Sequence, residues 1–99
     1  MKFDLILINP PYSYKKKAEY KKSTVFYHKF ILKSFEILKK DAYICAIHPP
    51  GYRQVDGQLT KFKNFIYERM LYLEIHGMSD GQRLFKASTK YDWYIAKNI

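Results

Sequence analysis

The spacing of apolar residues changes along the chain, and each change predicts a new element of secondary structure. Residues 3–8 form a nearly continuous apolar run that stops at an Asn-Pro-Pro sequence, which is typical of a strand buried on both faces of a parallel sheet. Residues 25–40 carry apolar side chains every three or four positions, which predicts an amphipathic helix. Residues 42–47 are again apolar and predict a second buried strand. A strand, a helix and a strand in this order predict a right-handed parallel crossover.

The second half of the chain predicts a helix followed by two strands. Residues 58–69 carry another stripe at helical spacing, whereas residues 71–76 alternate between apolar and polar positions, a period of two that marks a third strand. Residues 91–97 predict a fourth strand. Ser79-Asp80-Gly81 is typical of a turn, and no helix is expected between the third and fourth strands. These two strands are therefore expected to pair antiparallel, in a fold of the α/β class.

The length of 99 residues limits the chain to one compact domain, in which the small hydrophobic core leaves a thin margin of stability. An apolar content of 47% argues against a disordered tail, and no apolar run approaches the roughly 20 residues that span a bilayer.

The first residues lack the apolar region and cleavage site of a signal peptide, so a cytoplasmic location is expected. The single cysteine, Cys45, allows no disulfide within the chain, as expected in a reducing compartment.

A net charge of +9 gives the chain an electrostatic preference for polyanions. Part of this charge follows the first strand, in a segment without apolar periodicity that we interpret as a surface loop with five lysines: Lys15, Lys16, Lys17, Lys21 and Lys22. The loop is a candidate for contacts with the phosphates of a nucleic acid. A solvated lysine surface is an equally good interpretation, because the abundance of Lys, Ile, Tyr, Phe and Asn is also expected from an AT-rich coding sequence.

The tetrapeptide Asn9-Pro10-Pro11-Tyr12 lies at the carboxyl end of the first strand, where open α/β sheets bind their ligands. Its prolines restrict the backbone and stiffen the loop before a ligand arrives. The side-chain oxygen of Asn9 and the carbonyl of Pro10 offer two acceptors for a planar amine, and Tyr12 offers a face for stacking. Two such acceptors can hold the hydrogens of an amine while its nitrogen becomes tetrahedral. A rigid turn that ends the strand is the structural alternative.

A second proline-rich segment, residues 48–53, ends the second strand at the same edge of the sheet. His48 is a candidate for shaping a pocket there, and Arg53 is a candidate phosphate ligand, although a plain strand stop explains the segment equally well. The other histidines have no neighbours at the spacing of a metal site, so no metal is expected. Asp4 is expected to serve a structural role as a cap or in an ion pair.

The pattern Phe3-Asp4-x4-Asn9-Pro10-Pro11-Tyr12 resembles the catalytic motif of the adenine-N6 DNA methyltransferases of restriction-modification systems. The likeness continues through the predicted helix, the strand that ends at His48-Pro49 and the closing pair of strands. The resemblance implies an α/β fold that forms the C-terminal half of a Rossmann-like class I methyltransferase sheet.

The same resemblance implies a role for each residue of the motif. Asn9 and Pro10 would hold the N6 amino group of an adenine flipped out of DNA, and Tyr12 would stack on that base. An aromatic residue of the closing hairpin, Phe85 or Tyr91, would pack against it as well. The methyl group would come from S-adenosylmethionine.

The chain departs from this family in its glycines. The family binds S-adenosylmethionine through a glycine-rich turn after its first strand, whereas the four glycines here are isolated: Gly51, Gly57, Gly77 and Gly81. The resemblance therefore implies a single partial domain over residues 1–99, inactive without a cofactor-binding half or a partner subunit. The open edge of its sheet is expected to bind that partner or a second copy of the chain. Three alternatives stay open, namely a non-catalytic module that binds nucleic acid or a partner, a glutamine methyltransferase fragment and an RNA amine methyltransferase fragment.

Overall fold

The computed structural model describes residues 1–11, 13–14, 24–54, 57–85 and 89–99. The elements in these residues are, in chain order, β1 (Phe3–Ile8), β2 (Ser13–Tyr14), β3 (Thr24–Val25), α1 (Tyr27–Glu36), β4 (Leu38–His48), a 3₁₀ helix (Pro50–Arg53), α2 (Thr60–Tyr67), β5 (Met70–His76), α3 (Met78–Phe85) and β6 (Tyr91–Lys97). The fold is therefore α/β, as the sequence predicts.

Four of the strands form the main sheet in the order β1-β4-β6-β5. Strands β1 and β4 are parallel, with Ile6 opposite Ile44, and β6 is antiparallel to both of its neighbours. The predicted parallel pairing of the first two long strands and the antiparallel pairing of the last two are confirmed. Strand β1 lies at one edge of this sheet, and the short strands β2 and β3 pair with each other.

The hydrophobic core lies on one face of the main sheet. Ile44 and Ala46 of β4 point to this face together with Tyr94 of β6, and each of the three is at most 1% exposed. Helices α1 and α2 cover this face with side chains at helical spacing, namely Ile31, Phe35, Phe62 and Ile66. The two apolar stripes of the sequence are therefore the surfaces that attach these helices to the sheet.

The opposite face, which we call the open face, carries Leu5, Leu7, Tyr43, Cys45 and Ile47. Leu5 and Leu7 are 55% and 73% exposed, whereas the intervening Ile6 packs against the core. The expectation that the first strand is buried on both faces is therefore wrong for the described residues. The physical reason is that α1 and α2 both pack on the core face, so only every second side chain of β1 is covered.

The first helix is shorter at both ends than the predicted span of residues 25–40, because Val25 lies in β3 and α1 spans Tyr27–Glu36. The backbone N–H of Phe3 donates a hydrogen bond to the carbonyl of Ile37 at 2.8 Å, and the side-chain amide of Asn98 donates to the carbonyl of Leu38 at 2.8 Å. These hydrogen bonds hold residues 37 and 38, at which α1 ends and β4 begins. Asp4 also contacts this strand through an ion pair with Lys39 at 2.9 Å, which confirms its expected structural role.

A helix does lie between the third and fourth long strands, so the expectation of a simple turn there is wrong. Helix α3 spans Met78–Phe85 and includes Gly81, which is buried. A Cβ atom built on Gly81 would lie 1.8 Å from the carbonyl oxygen of Thr89. The helix can therefore approach the segment before β6 only because residue 81 has no side chain.

We expect Gly81→Ala to lower the free energy of unfolding by about 1–3 kcal/mol, because the new methyl group forces the α3 backbone away from Thr89. Urea denaturation followed by circular dichroism measures this loss. Gly77→Ala is the matched control, since a Cβ there meets no atom within 4 Å and the cost should stay within a few tenths of a kcal/mol. Equal midpoints for Gly81→Ala and the unmodified chain would contradict this packing.

Candidate functional site

The carboxyl ends of β1, β4 and β5 lie beside the amino end of β6. We call this end of the main sheet the rim. This arrangement follows from the strand directions, since β5 and β4 are both antiparallel to β6 and β1 is parallel to β4. The rim therefore collects chain segments that lie far apart in the sequence. Open α/β sheets bind their ligands at this end, beyond the carboxyl ends of the strands.

Asn9 and Pro10 extend β1 beyond the rim. Asn9 is exposed and Pro10 is buried, so the alternation of exposed and buried side chains in β1 continues through the motif. Asn9 lines a wide concavity of about 380 Å³ together with Leu7 and Ile8 of β1 and with residues 45–47 of β4. The buried proline anchors the loop, and the Asn9 amide is left accessible to a ligand.

His48 at the end of β4 is completely buried. Its Nδ1 lies 2.9 Å from the carbonyl oxygen of Pro49, and its Nε2 lies 2.7 Å from the hydroxyl of Tyr94. Because a carbonyl only accepts hydrogen bonds, Nδ1 carries the proton and Nε2 accepts from Tyr94. The ring also stacks on Tyr27, with centroids 4.3 Å apart. His48 therefore presents no surface to a ligand at the rim, and its contacts link β4 to β6 and to α1.

The burial of His48 lowers its pKa to about 4, so the imidazole is neutral at pH 7. In the unfolded chain this pKa is near 6.5. Between about pH 6.5 and pH 4, the unfolded chain therefore binds a proton at His48, whereas the folded chain does not. We therefore expect the free energy of unfolding to fall by about 2 kcal/mol between pH 7.5 and pH 5 on account of this residue.

Chemical denaturation at the two pH values tests this expectation. The difference between the unmodified chain and His48→Gln isolates His48 from the other titrating groups, because both proteins share those groups. We expect a flatter pH dependence in the variant. An identical pH dependence in both proteins would contradict the neutral, buried state of His48.

Asp92 at the start of β6 is completely buried and accepts hydrogen bonds from two residues of the 3₁₀ helix. The hydroxyl of Tyr52 donates to Oδ2 at 2.7 Å. Arg53 donates from Nε to Oδ2 at 2.7 Å and from Nη2 to Oδ1 at 3.3 Å. Burial and the hydrogen bond to Asp92 raise the pKa of Tyr52, which keeps its hydroxyl protonated as a donor. This network fastens the 3₁₀ helix to β6.

Tyr91 lies next to Asp92 on the opposite face of β6 and is the centre of an aromatic stack. Its ring meets Phe85 of α3 edge-on, with centroids 5.3 Å apart, and lies parallel to the ring of His76 at 4.6 Å. His76 Nε2 lies 2.6 Å from Glu74, and Nδ1 lies 2.8 Å from Asp80. Both ring nitrogens face carboxylates, and the hydrogen bonds to Asp80 and Glu74 raise the pKa of the imidazole, which favours its doubly protonated form.

The structure thus places most of the candidate residues at the rim. Asn9, Pro10 and Pro11 follow β1, and His48 and Arg53 flank the end of β4. Phe85 packs on Tyr91, which lies two strands away from β1, roughly 10 Å across the sheet. The remaining candidates lie outside the described residues, namely Tyr12, Lys15, Lys16, Lys17, Lys21 and Lys22. Their roles stay predictions.

Sequence reasoning missed the two polar networks of the rim, which depend on Asp92 and His76. A lone carboxylate within the apolar run of residues 91–96 was the available signal for Asp92, because a strand buries such a group only with a partner. His76 gave no comparable signal, since its alternation in β5 fits an ordinary exposed position. In the part of the chain that the structure describes, no three His, Cys, Asp or Glu residues form a metal site.

Known proteins share the sequence pattern and the fold of this chain. A model of the Eco57I restriction-modification methylase family matches residues 1–85. The chain belongs to that family. No match was found among curated proteins.

Solved structures share the fold of this family member at low sequence identity. A chain from a type I restriction-modification system, studied for its complex assembly and conformational transition, superimposes with a TM-score of 0.72 at 15% identity over 97% of the present chain and 21% of its own. A class I S-adenosylmethionine-dependent methyltransferase from Listeria monocytogenes gives 0.67 at 14% identity, over 97% and 32%. A methyltransferase complexed with S-adenosylhomocysteine gives 0.52 at 23% identity, over 98% and 26%. The chain therefore spans about a fifth to a third of these proteins.

The glycines of the chain do not fit a cofactor site of the glycine-rich type. The sequence contains no glycine before Gly51, so the chain segment between β1 and α1 has none. None of the four glycines has a positive φ in the structure. The described residues therefore offer the rim and its acceptors but no glycine-rich turn for S-adenosylmethionine.

Among the described residues, no helix has the length and apolar content of a transmembrane segment.

Proposed function

We propose that this chain supplies the acceptor side of an S-adenosylmethionine-dependent methyltransferase that modifies the N6 amine of adenine in DNA. Membership in the Eco57I restriction-modification methylase family supports the reaction class. The observation that carries the proposal is the position of Asn9 and Pro10 at the end of β1, with the Asn9 side chain exposed and Pro10 buried. This position offers two acceptors at the rim, the backbone carbonyl of Pro10 and the accessible amide oxygen of Asn9.

In the proposed role, Asn9 and Pro10 act on the hydrogens of the amine. The Oδ1 atom of Asn9 and the carbonyl oxygen of Pro10 each accept one N–H of the planar NH₂ group. These acceptors stabilise the positive charge that develops on the nitrogen as its lone pair turns toward an electrophilic carbon. Tyr12 would stack on the base, with Phe85 and Tyr91 packed at the opposite side of the rim. Unpairing the base costs a few kcal/mol, which these contacts must offset.

We propose that a further segment or a partner subunit binds S-adenosylmethionine, which supplies the methyl group. Two features of the described residues support a partner. The outer edge of β1 has no neighbouring strand in the main sheet, and the open face next to it exposes Leu5 and Leu7. An exposed strand edge with apolar neighbours favours pairing with another chain. In its absence we expect no turnover, and self-association through the same edge.

Methyl transfer with three acceptors tests the proposal. The full chain is co-expressed with the product of the reading frame next to its own, and the purified assembly receives S-adenosylmethionine labelled in its methyl group. Unmethylated duplex DNA, RNA and a glutamine-containing peptide are offered separately. We expect label in DNA only, recovered as N6-methyladenine by mass spectrometry. Label in RNA or in the peptide alone would contradict the adenine assignment.

A non-catalytic role in binding nucleic acid is the second candidate, favoured by the net charge of +9 and by the absence of a glycine-rich turn. This candidate predicts salt-dependent DNA binding by the chain and no methyl transfer in any assembly. The assay above separates the two, because only the first candidate predicts labelled adenine.

A further inference from the structure

A shallow basic pocket lies beside the network of Tyr52, Arg53 and Asp92. Its volume is about 300 Å³, and its lining consists of Pro50, Gly51, Arg53, Gln54 and Lys90. Lys90 immediately precedes β6, so the pocket opens at the rim. Two of these five residues are cationic and none is acidic, which suits an anion.

The guanidinium of Arg53 is oriented before any ligand arrives. Of its five N–H groups, Asp92 accepts one from Nε and one from Nη2, which leaves three for a second acceptor. The Arg53 side chain is 32% exposed, whereas Asp92 is completely buried and is not part of the pocket lining. Asp92 therefore fixes the direction of the guanidinium without presenting a carboxylate to an incoming anion.

The charge of this group of residues matches a phosphodiester. Arg53 and Lys90 each contribute one positive charge and Asp92 one negative charge, so the group carries a single net positive charge. A phosphodiester carries one negative charge and accepts several hydrogen bonds, and a planar guanidinium can donate two of them in parallel. The neutral amide of Gln54 adds another donor to the lining.

We propose that Arg53 and Lys90 bind one backbone phosphate of a nucleic acid, with Asp92 as the residue that positions Arg53. The inference rests on the proposed function in taking DNA as that nucleic acid. It adds Lys90 as a ligand and assigns a purpose to the buried Asp92. Phosphate contacts of this kind set the position of a nucleic acid on a protein without reading its sequence.

DNA binding by the 99-residue chain tests the inference without requiring methyl transfer. Fluorescence anisotropy with a labelled 20-base-pair duplex gives the affinity at several salt concentrations. For Lys90→Gln we expect the slope of log affinity against log salt to become shallower by about 0.9, the value for one lost phosphate contact. Lys40→Gln is the matched control, because exposed Lys40 lies near the amino end of β4, roughly 25 Å from the rim, and its slope should stay unchanged.

The double variant Arg53→Gln with Asp92→Asn tests Arg53 at constant net charge. It removes one positive and one negative charge together, so a general electrostatic effect predicts no change in slope. Loss of a phosphate ligand predicts a shallower slope, as for Lys90→Gln. A slope equal to that of the unmodified chain in both Lys90→Gln and the double variant would overturn the inference.

Two further outcomes would also overturn it. Inorganic phosphate that displaces the duplex more strongly than chloride at equal ionic strength would indicate a site for free phosphate. Tighter binding of double-stranded RNA than of DNA, lost in Lys90→Gln, would indicate the wrong nucleic acid. Because these measurements use binding alone, a shallower slope in Lys90→Gln combined with no labelled adenine would leave the pocket intact and reject only the methyltransferase proposal.

Discussion

Asn9→Ala is expected to lower the rate of methyl transfer by the assembled enzyme on the order of 10²- to 10³-fold, the cost of removing one preorganised hydrogen-bonding group from a developing charge. Asn9 is exposed at the end of β1, and its replacement leaves no buried polar group without a partner. The loss should therefore appear in kcat, with a smaller change in KM and with the free energy of unfolding unchanged. Steady-state kinetics on duplex DNA and a denaturation curve measure all three.

Asn64→Ala is the control for Asn9→Ala, because Asn64 is also an exposed asparagine but lies on α2. It should retain the full rate. Asn9→Asp offers a sharper comparison, since it keeps an oxygen acceptor at nearly the same place while adding a charge. Undiminished methylation by Asn9→Ala would refute the role of this residue in holding the amine.

Asp92→Ala is expected to cost about 3–5 kcal/mol of folding free energy, the range for removing one partner of a buried ion pair. The carboxylate accepts three hydrogen bonds from Tyr52 and Arg53, and all three donors would lose their partner. Small domains have a total stability of about 5–15 kcal/mol, so the variant should be close to unfolding at room temperature. A urea midpoint from circular dichroism measures the loss.

Asp4→Ala provides the comparison for Asp92→Ala. Asp4 also forms an ion pair, with Lys39 at 2.9 Å, but its side chain is 85% exposed, and such surface pairs contribute at most about 1 kcal/mol. The two variants thus remove the same functional group from opposite environments. If both shifted the midpoint by the same amount, the buried network at the rim would not have the stabilising role assigned to it.

The sequence predicted the four long strands and the two large helices, because their apolar residues repeat at the period of each structure. It missed α3, because Ser79-Asp80-Gly81 has the composition of a turn. The close approach to Thr89, which makes Gly81 necessary within a helix, involves a residue eight positions away and has no periodic signature. The candidate site was predicted in part for the same reason, since the motif of residues 9–12 is contiguous and the rest of the rim is assembled from separate segments.

The sequence by itself determined the order of the elements and the position of Asn9 and Pro10 after a strand, since both depend on neighbouring residues. The tertiary structure alone decided which face of β1 is covered, which nitrogen of His48 carries the proton and which carboxylate orients Arg53. His48 meets Tyr94 across 46 positions of the chain, and Tyr52 meets Asp92 across 40. Charge states and burial are set by partners at such separations, and only the folded chain brings them within hydrogen-bonding distance.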